Sequence, residues 1–238
     1  MYIVYDPTLV MLSILVAILG SLTGVAVTFG YGGARVVLSP QALVRGSVII
    51  GGSIWSMHFI AMLAVKFPVA ITYNSTQTLL SLCLAVLFTG VGLSLASAKA
   101  LGPLKIPVAA VLMGSGIGAM HYLGMNAVTG CGIAYDFNWV AVSLAVAVGA
   151  SGVALWFAFR KRGAIETLFG GVILGLAIAG MHYTAMYATS FYRITVTFEI
   201  GNPVLSQANI AFSVAAATLV ICGYYLYLFS SMLTQEEA

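Results

Sequence analysis

Apolar residues run along this chain in seven long blocks, separated by short polar or glycine- and proline-bearing segments. The blocks are about Thr8–Gly30, Val44–Val65, Thr78–Ser97, Pro107–Thr129, Asn138–Phe159, Ile165–Ala188 and Ala208–Ser231. Each is close to the roughly 20 residues that a helix needs to cross about 30 Å of hydrocarbon. The breaks carry residues that end helices: Tyr31-Gly32-Gly33 and Ser39-Pro40, then Gly102-Pro103 and Pro107, then Gly201-Asn202-Pro203. The pattern predicts an all-α integral membrane protein with seven transmembrane helices. The first block reads as a helix and not as a cleaved leader. The residues before it hold Asp6 and no Lys or Arg, and the run is too long for the apolar core of a signal peptide.

Composition agrees with that pattern. Of 238 residues, 61% are hydrophobic and only 6% are charged, against about 25% charged in a soluble domain. Such a chain cannot cover a water-facing surface, so lipid must be its main solvent. The net charge of +3 matters less than where the charges fall. Arg35, Arg45, Lys99, Lys105, Arg160, Lys161 and Arg162 lie around the first, third and fifth connections, and only Lys66 and Arg193 lie around the others. Positive residues favour the cytoplasmic side, which predicts an outside N-terminus and a cytoplasmic C-terminus. Cys83, Cys131 and Cys222 form no paired pattern, so no disulfide framework is expected.

One hexapeptide occurs three times: Met57-His58-Phe59-Ile60-Ala61-Met62, Met120-His121-Tyr122-Leu123-Gly124-Met125 and Met181-His182-Tyr183-Thr184-Ala185-Met186. These segments hold all three histidines and six of the ten methionines. They fall in the second, fourth and sixth blocks, near the outer end of each. The chain therefore divides into three two-helix pseudo-repeats, about 1–66, 67–130 and 131–190, with a seventh helix at about 208–231. Parallel repeats of this kind are related by an axis along the membrane normal, which would bring the three outbound helices together. Glycines cluster on those helices, at Gly51 and Gly52, at Gly114, Gly116 and Gly118, and at Gly170, Gly171, Gly175 and Gly180. Small residues let helices approach closely in lipid.

Ionisable groups inside a membrane are costly and mark function, so His58, His121 and His182 are the leading site candidates. The second Met of each motif lies four residues beyond its His, on the same helix face. Met57, Met62, Met120, Met125, Met181 and Met186 are accordingly candidate ligands beside the histidines. Imidazole suits several transition metals and thioether selects copper. No carboxylate lies in the motifs; Asp136 and Glu199 are the nearest acids, both in outer connections. That argues against Ca, Mg and Mn, and against a hydrolytic zinc centre, which needs a base beside the metal-bound water. Copper fits best. Phe59, Tyr122, Tyr183, Trp55 and Asn126 are candidates to surround the ligands, and Cys131 is a conceivable extra copper ligand. Two of the three histidines could instead bind haem. A copper-handling transporter is a further alternative, although its ligands should appear at several depths.

The three motifs, each on an outbound helix, resemble those of the MHYT family of bacterial integral-membrane sensor domains; the full Met-His-Tyr-Thr string stands at Met181–Thr184. Phe59 departs from the tyrosine of the string, and the first two copies lack its threonine. The resemblance implies a multi-pass sensor domain of the bacterial cytoplasmic membrane, covering residues 1–233, without catalytic residues of its own. It implies copper held by these Met and His residues, and a stimulus such as O2, CO, NO or the metal itself. It also implies a cytoplasmic output domain, in cis or in trans, that turns over cyclic di-GMP or acts as a kinase or DNA-binding module. No nucleic acid is expected to bind this domain, and a homodimer is compatible with it. Residues 234–238 then read as a cytoplasmic tail from which an output domain has been removed.

Overall fold

In the computed structural model of the chain, residues 4–29, 38–67, 69–159, 164–194 and 204–236 are described. The apolar blocks form helices α1 (Pro7–Phe29), α2 (Pro40–Leu63), α3 (Ser75–Ser97), α4 (Lys105–Asn126), α5 (Phe137–Ala158), α6 (Ala164–Tyr187) and α7 (Gln207–Glu236). Six of the seven are long and apolar enough to cross a membrane; in α7 the stretch Gln207–Ile221 is apolar but shorter. Helix α2 begins four residues before its apolar block, because Ser39 accepts a hydrogen bond from the Ala42 amide and Pro40 takes the first helical position. A 3-10 turn, Lys99–Leu104, joins α3 to α4, with Gly102 at φ 52°, a conformation that favours glycine.

Helices α1 to α6 form a closed ring. The hairpins α1–α2, α3–α4 and α5–α6 pack side by side through α2 on α3, α4 on α5 and α6 on α1. Helix α2 also meets α4 and α6 across the middle, so α2, α4 and α6 are the inner helices and α1, α3 and α5 the outer ones. Helix α7 lies outside the ring against α1 and α2.

The three pseudo-repeats match closely. On each inner helix one glycine lies against the backbone of the next outer helix. A Cβ on Gly51 would come within 2.7 Å of Val86 Cα, one on Gly114 within 2.6 Å of Val148 Cα, and one on Gly175 within 2.5 Å of Ile18 Cα. Gly52 and Gly180, by contrast, face open space. Each outer helix starts from an acidic or amide cap: Asp6 accepts from the Thr8 amide, Asn74 from Gln77 and Asp136 from Asn138. The same three residues donate their own amides to Ala64, Ala127 and Ala188, at 2.8, 2.7 and 2.8 Å, just past the ends of α2, α4 and α6.

Short strands finish that end of the ring, where the apolar pattern points only to connections. They are β1 (Thr72–Asn74), β2 (Val128–Thr129), β3 (Gly132–Tyr135), β4 (Thr189–Tyr192) and β5 (Val204–Leu205). Antiparallel pairing gives one sheet of order β2-β1-β5 and another of order β3-β4, and Tyr5 bridges to Val65. Lys66 and Arg193 lie at this strand-bearing end, and Arg45, Lys99 and Lys105 at the opposite one. Arg35, Arg160, Lys161, Arg162 and Glu199, together with the breaks at Tyr31-Gly32-Gly33 and Gly201-Asn202-Pro203, lie outside the described residues.

Candidate metal centre

Each motif histidine stands five residues before the end of its helix: His58 on α2, which ends at Leu63, His121 on α4, which ends at Asn126, and His182 on α6, which ends at Tyr187. At about 1.5 Å per residue the three share one depth, roughly 7–8 Å inside the strand-bearing end. All three are 0% exposed, so the site is enclosed within the ring rather than open to the surface.

The three imidazoles converge. His58 Nδ1 lies 3.2 Å from His182 Nδ1 and 3.2 Å from His121 Nδ1. One ligand nitrogen from each ring falls within 4.8 Å of the others. The rings meet edge to face, with centroids 4.9, 5.1 and 5.0 Å apart and planes at 83, 76 and 79°, which gives the cluster near-threefold symmetry. One Nδ1 carries at most one proton, so His58 cannot donate to both neighbours. The Nε2 atoms of all three have no hydrogen-bond partner, and an unpaired buried polar group is costly. The rings therefore satisfy one another poorly as a purely structural cluster.

A metal ion fits this donor set. Two imidazole nitrogens on one tetrahedral ion with bonds of about 2.0–2.1 Å lie roughly 3.3 Å apart, close to the 3.2 Å found here. Among the described residues this is the one cluster of His, Cys, Asp or Glu with metal-holding spacing, and neither Cys131 nor Asp136 belongs to it. Asp136 is the α5 cap. Cys131 is buried near Tyr73 in the turn between β2 and β3, where burial pushes its thiol up from the usual range.

The six motif methionines are 0–1% exposed, so all are buried within the helix bundle on the same helical turns as the histidines. One turn below the histidines stand Ile54, Ile117 and Ile178, at 0, 4 and 2% exposed. These three side chains beneath the imidazoles are apolar, and among the described residues no second cluster of His, Cys, Asp or Glu lies there.

The residue after each histidine ties the site to the next repeat. Tyr122 Oη lies 2.8 Å from Ser143 Oγ, and Tyr183 Oη lies 2.8 Å from Ser13 Oγ. Both serine hydroxyls donate to carbonyls of their own helix, Val140 and Val10, so the tyrosines are the donors. Phe59 has no hydroxyl. In its place Trp55, one turn earlier, donates Nε1–H to Ser81 Oγ at 3.2 Å and to the Thr78 carbonyl at 3.3 Å, while Ser81 donates to that same carbonyl. The Trp55 and Phe59 rings pack at 4.9 Å. Thr184 bonds only within its own helix, to Gly180. Asn126 is exposed at the end of α4 and does not join the cluster.

Two sets of residues complete the site beyond those that the motif chemistry singles out. Gly124 makes room for a ring: a Cβ there would lie 2.5 Å from His58 Nε2. The same motif position holds the buried Ala61 and Ala185, and a small residue at motif position five was the available signal. The second set is a tyrosine before each outer-helix cap, packed on the motif aromatic of the preceding repeat. Tyr73 lies 5.7 Å from Phe59, Tyr135 5.4 Å from Tyr122 and Tyr5 6.0 Å from Tyr183. The recurring pairs Tyr5-Asp6, Tyr73-Asn74 and Tyr135-Asp136 were its signal.

The family model described as MHYT, bacterial signalling protein N terminal repeat, matches residues 51–108, 114–171 and 175–234. Its three segments begin at the close-packed glycines Gly51, Gly114 and Gly175. The chain is 43% identical over 198 residues to the bifunctional diguanylate cyclase/cyclic di-GMP phosphodiesterase MucR of Pseudomonas aeruginosa, covering 79% of this chain and 28% of that protein. It is 30% identical over 243 residues to the signaling protein YkoW of Bacillus subtilis, covering 97% of this chain and 29% of that one. It is 32% identical over 237 residues to the cyclic di-GMP phosphodiesterase NbdA of Pseudomonas aeruginosa, covering 93% of this chain and 29% of that one. The chain thus spans less than a third of the length of these relatives. No solved structure matches it.

Proposed function

The chain belongs to the MHYT family of bacterial signalling proteins, and on that premise we propose that it is a membrane-embedded input domain in which His58, His121 and His182 hold one metal ion, copper by its donor set. The observation that carries the reading is the convergence of three buried imidazoles, with His58 Nδ1 at 3.2 Å from the Nδ1 atoms of both His121 and His182 and all three Nε2 atoms unpartnered. Among the described residues no acid joins this group, and the buried motif methionines supply the soft donors that favour copper. A bound copper ion would offer a position that O2, CO or NO can occupy; gain or loss of the ion is itself a second kind of stimulus. The chain's own part is to fix three rings at one depth, hold them through the Tyr122, Tyr183 and Trp55 hydrogen bonds, and exclude water.

The charges of the described residues, three cations at one end against two at the strand-bearing end, lean toward a strand-bearing end outside. A cytoplasmic C-terminus then requires α7, whose described apolar stretch is shorter than the other six, to act as a seventh span. On this reading the domain sits in the bacterial cytoplasmic membrane. Two of these relatives, MucR and NbdA, are named for making or degrading cyclic di-GMP, and α7 would lead to an output of that kind, in cis or in trans. Haem is the weaker reading, because three rings about 5 Å apart leave no slot for a macrocycle between two of them. The apolar layer beneath the rings speaks against a copper path through the membrane.

Elemental analysis of purified protein tests the proposal. Wild type should carry about one copper per chain, or take it up on reloading, and the triple variant His58→Ala, His121→Ala, His182→Ala should carry none. A wild type that stays metal-free after reloading sinks the copper site, and a strong Soret absorbance would replace it with haem.

A further inference from the structure

We infer that Phe59 and Tyr73 form the step through which a change at the three-histidine cluster reaches the start of α7, and that His58 is the one histidine of the three joined to α7 by a described strand pairing. The inference rests on the proposed input role and adds to it the route by which the signal leaves the ring.

The histidines are nearly equivalent, but their surroundings at the strand-bearing end are not. Each motif aromatic packs on the tyrosine that opens the next outer helix, so each repeat hands its histidine's neighbour to a different strand. Tyr122 packs on Tyr135, which lies in β3, and β3 pairs with β4 from the end of α6. Tyr183 packs on Tyr5, which bridges to Val65. Both of those links stay inside the ring. Phe59 packs on Tyr73, and Tyr73 lies in β1, which also pairs with β5 through Tyr73↔Leu205 and Asn74↔Val204. Strand β5 runs straight into the capped start of α7, where the Ser206 hydroxyl accepts the Asn209 amide. Among the strand links described, only the first repeat therefore reaches beyond the ring. Helix α7 also packs along α2, the helix that carries His58, and along α1, whose Ser13 takes the Tyr183 bond, so it is the strand link that singles out the first repeat.

Two further features suit this route to transmission. Phe59 and Tyr73 are both 0% exposed, so neither can move without displacing the other. Phe59 lacks the hydroxyl that ties Tyr122 and Tyr183 to a serine, and Trp55 makes that bond from one turn away. The aromatic next to His58 thus carries no hydrogen bond to the outer helix and meets it through packing on Trp55 and Tyr73. Mere intermediacy in space does not establish coupling; what is needed is a response that follows the repeat.

Amide exchange of the full chain in phospholipid nanodiscs reads this. Local opening of an element shows as faster exchange of its amides. In metal-free protein, His58→Asn should speed exchange of residues 204–210 relative to residues 132–135 by about threefold or more. His121→Asn should instead act on residues 132–135, through Tyr122 and Tyr135. The His58→Asn effect on residues 204–210 should vanish in a Phe59→Leu or Tyr73→Leu background and survive in Tyr73→Phe, which keeps the ring and loses only a hydroxyl without a partner. Equal ratios for the two histidine variants, which a general loosening would give, overturn the inference, as does persistence of the effect in Phe59→Leu. Addition of Cu(II) to wild type separates the two readings: absence of uptake sinks the metal site, while the substitution series still decides the coupling.

Discussion

Two layers of this ring treat its three repeats differently. About two turns below the histidines, the repeats are the same down to the atom: Gly51, Gly114 and Gly175 each lie against an Ala-Val or Ala-Ile step of the next outer helix, with Ala85, Ala147 and Ala17 at 0–1% exposed. Beside the histidines the repeats diverge. Two use a tyrosine to hold a serine, and the first uses a tryptophan one turn earlier. The lower layer is backbone against backbone, and a side chain cannot substitute for an approach that close. The upper layer needs only a donor within reach of Ser13, Ser81 or Ser143, and a phenol or an indole supplies it. Shape is therefore fixed threefold where helices touch, and chemistry is free to vary where side chains reach across.

The largest expected effect tests the lower layer. Gly51→Ala, Gly114→Ala and Gly175→Ala should each place a methyl group against a neighbouring helix backbone, costing about 1–3 kcal/mol by overpacking. All three should lower the thermal midpoint of the detergent-solubilised protein by a similar amount. Gly52→Ala, one residue away and facing open space, should be neutral or gain roughly 0.5–1 kcal/mol from helix propensity. If Gly51 and Gly52 behaved alike, the close approach would not be what holds the ring.

The upper layer should give an unequal response, smaller for the two tyrosines than for the first repeat. Tyr122→Phe and Tyr183→Phe each lose one hydrogen bond to a serine, about 0.5–1.5 kcal/mol. Phe59→Tyr should also destabilise, because it adds a fully buried hydroxyl where Ser81 already accepts from Trp55, at about 1–3 kcal/mol. Combined with Trp55→Phe, that same hydroxyl finds Ser81 free, and the double variant should be more stable than the sum of the two singles by about 1 kcal/mol. Additive losses in that cycle would show that the first repeat is not a rearranged copy of the other two.

The motif spacing, the helix count and the shared depth of the histidines could all be read in the sequence, since each rests on hydrophobic length or on repetition of a rare residue. The outer half of each repeat could not, although it recurs as faithfully. Ser13 precedes His58 by 45 residues, Ser81 precedes His121 by 40 and Ser143 precedes His182 by 39. The longer first connection shifts α1 out of register, so a single repeat period aligns the inner helices and misses Tyr5-Asp6, Ser13 and Ala17. The likeness of α7 to α1 was hidden in the same way. Ser206, Ser213 and Ala217 repeat the spacing of Asp6, Ser13 and Ala17, and the third family segment spans α6 and α7. Yet α1 holds the place beside α6, and α7 lies outside the ring. Which of two similar helices closes a ring is a matter of packing, and no apolar pattern records it. The strands were illegible because elements of two to four residues have no period.

The smallest expected effect concerns the tyrosines that stitch the strand-bearing end, where the three repeats agree again. Burial pushes the phenols of Tyr5 and Tyr135 up to about 12, with Tyr183 and Tyr122 respectively adding to the shift, and burial moves Tyr73 upward as well. A raised phenol keeps its proton in the folded state after the unfolded chain has lost it. Its contribution is present in full below the unfolded value of 10.0 and is lost as pH rises toward the folded one. The thermal midpoint should accordingly stay level through neutral and mildly alkaline pH, apart from any metal effect, and fall above about pH 10. The triple variant Tyr5→Phe, Tyr73→Phe, Tyr135→Phe keeps the rings that pack on Tyr183, Phe59 and Tyr122, and should flatten that fall. An unchanged alkaline slope in the triple variant would assign the loss to other groups and leave the three rings as packing alone.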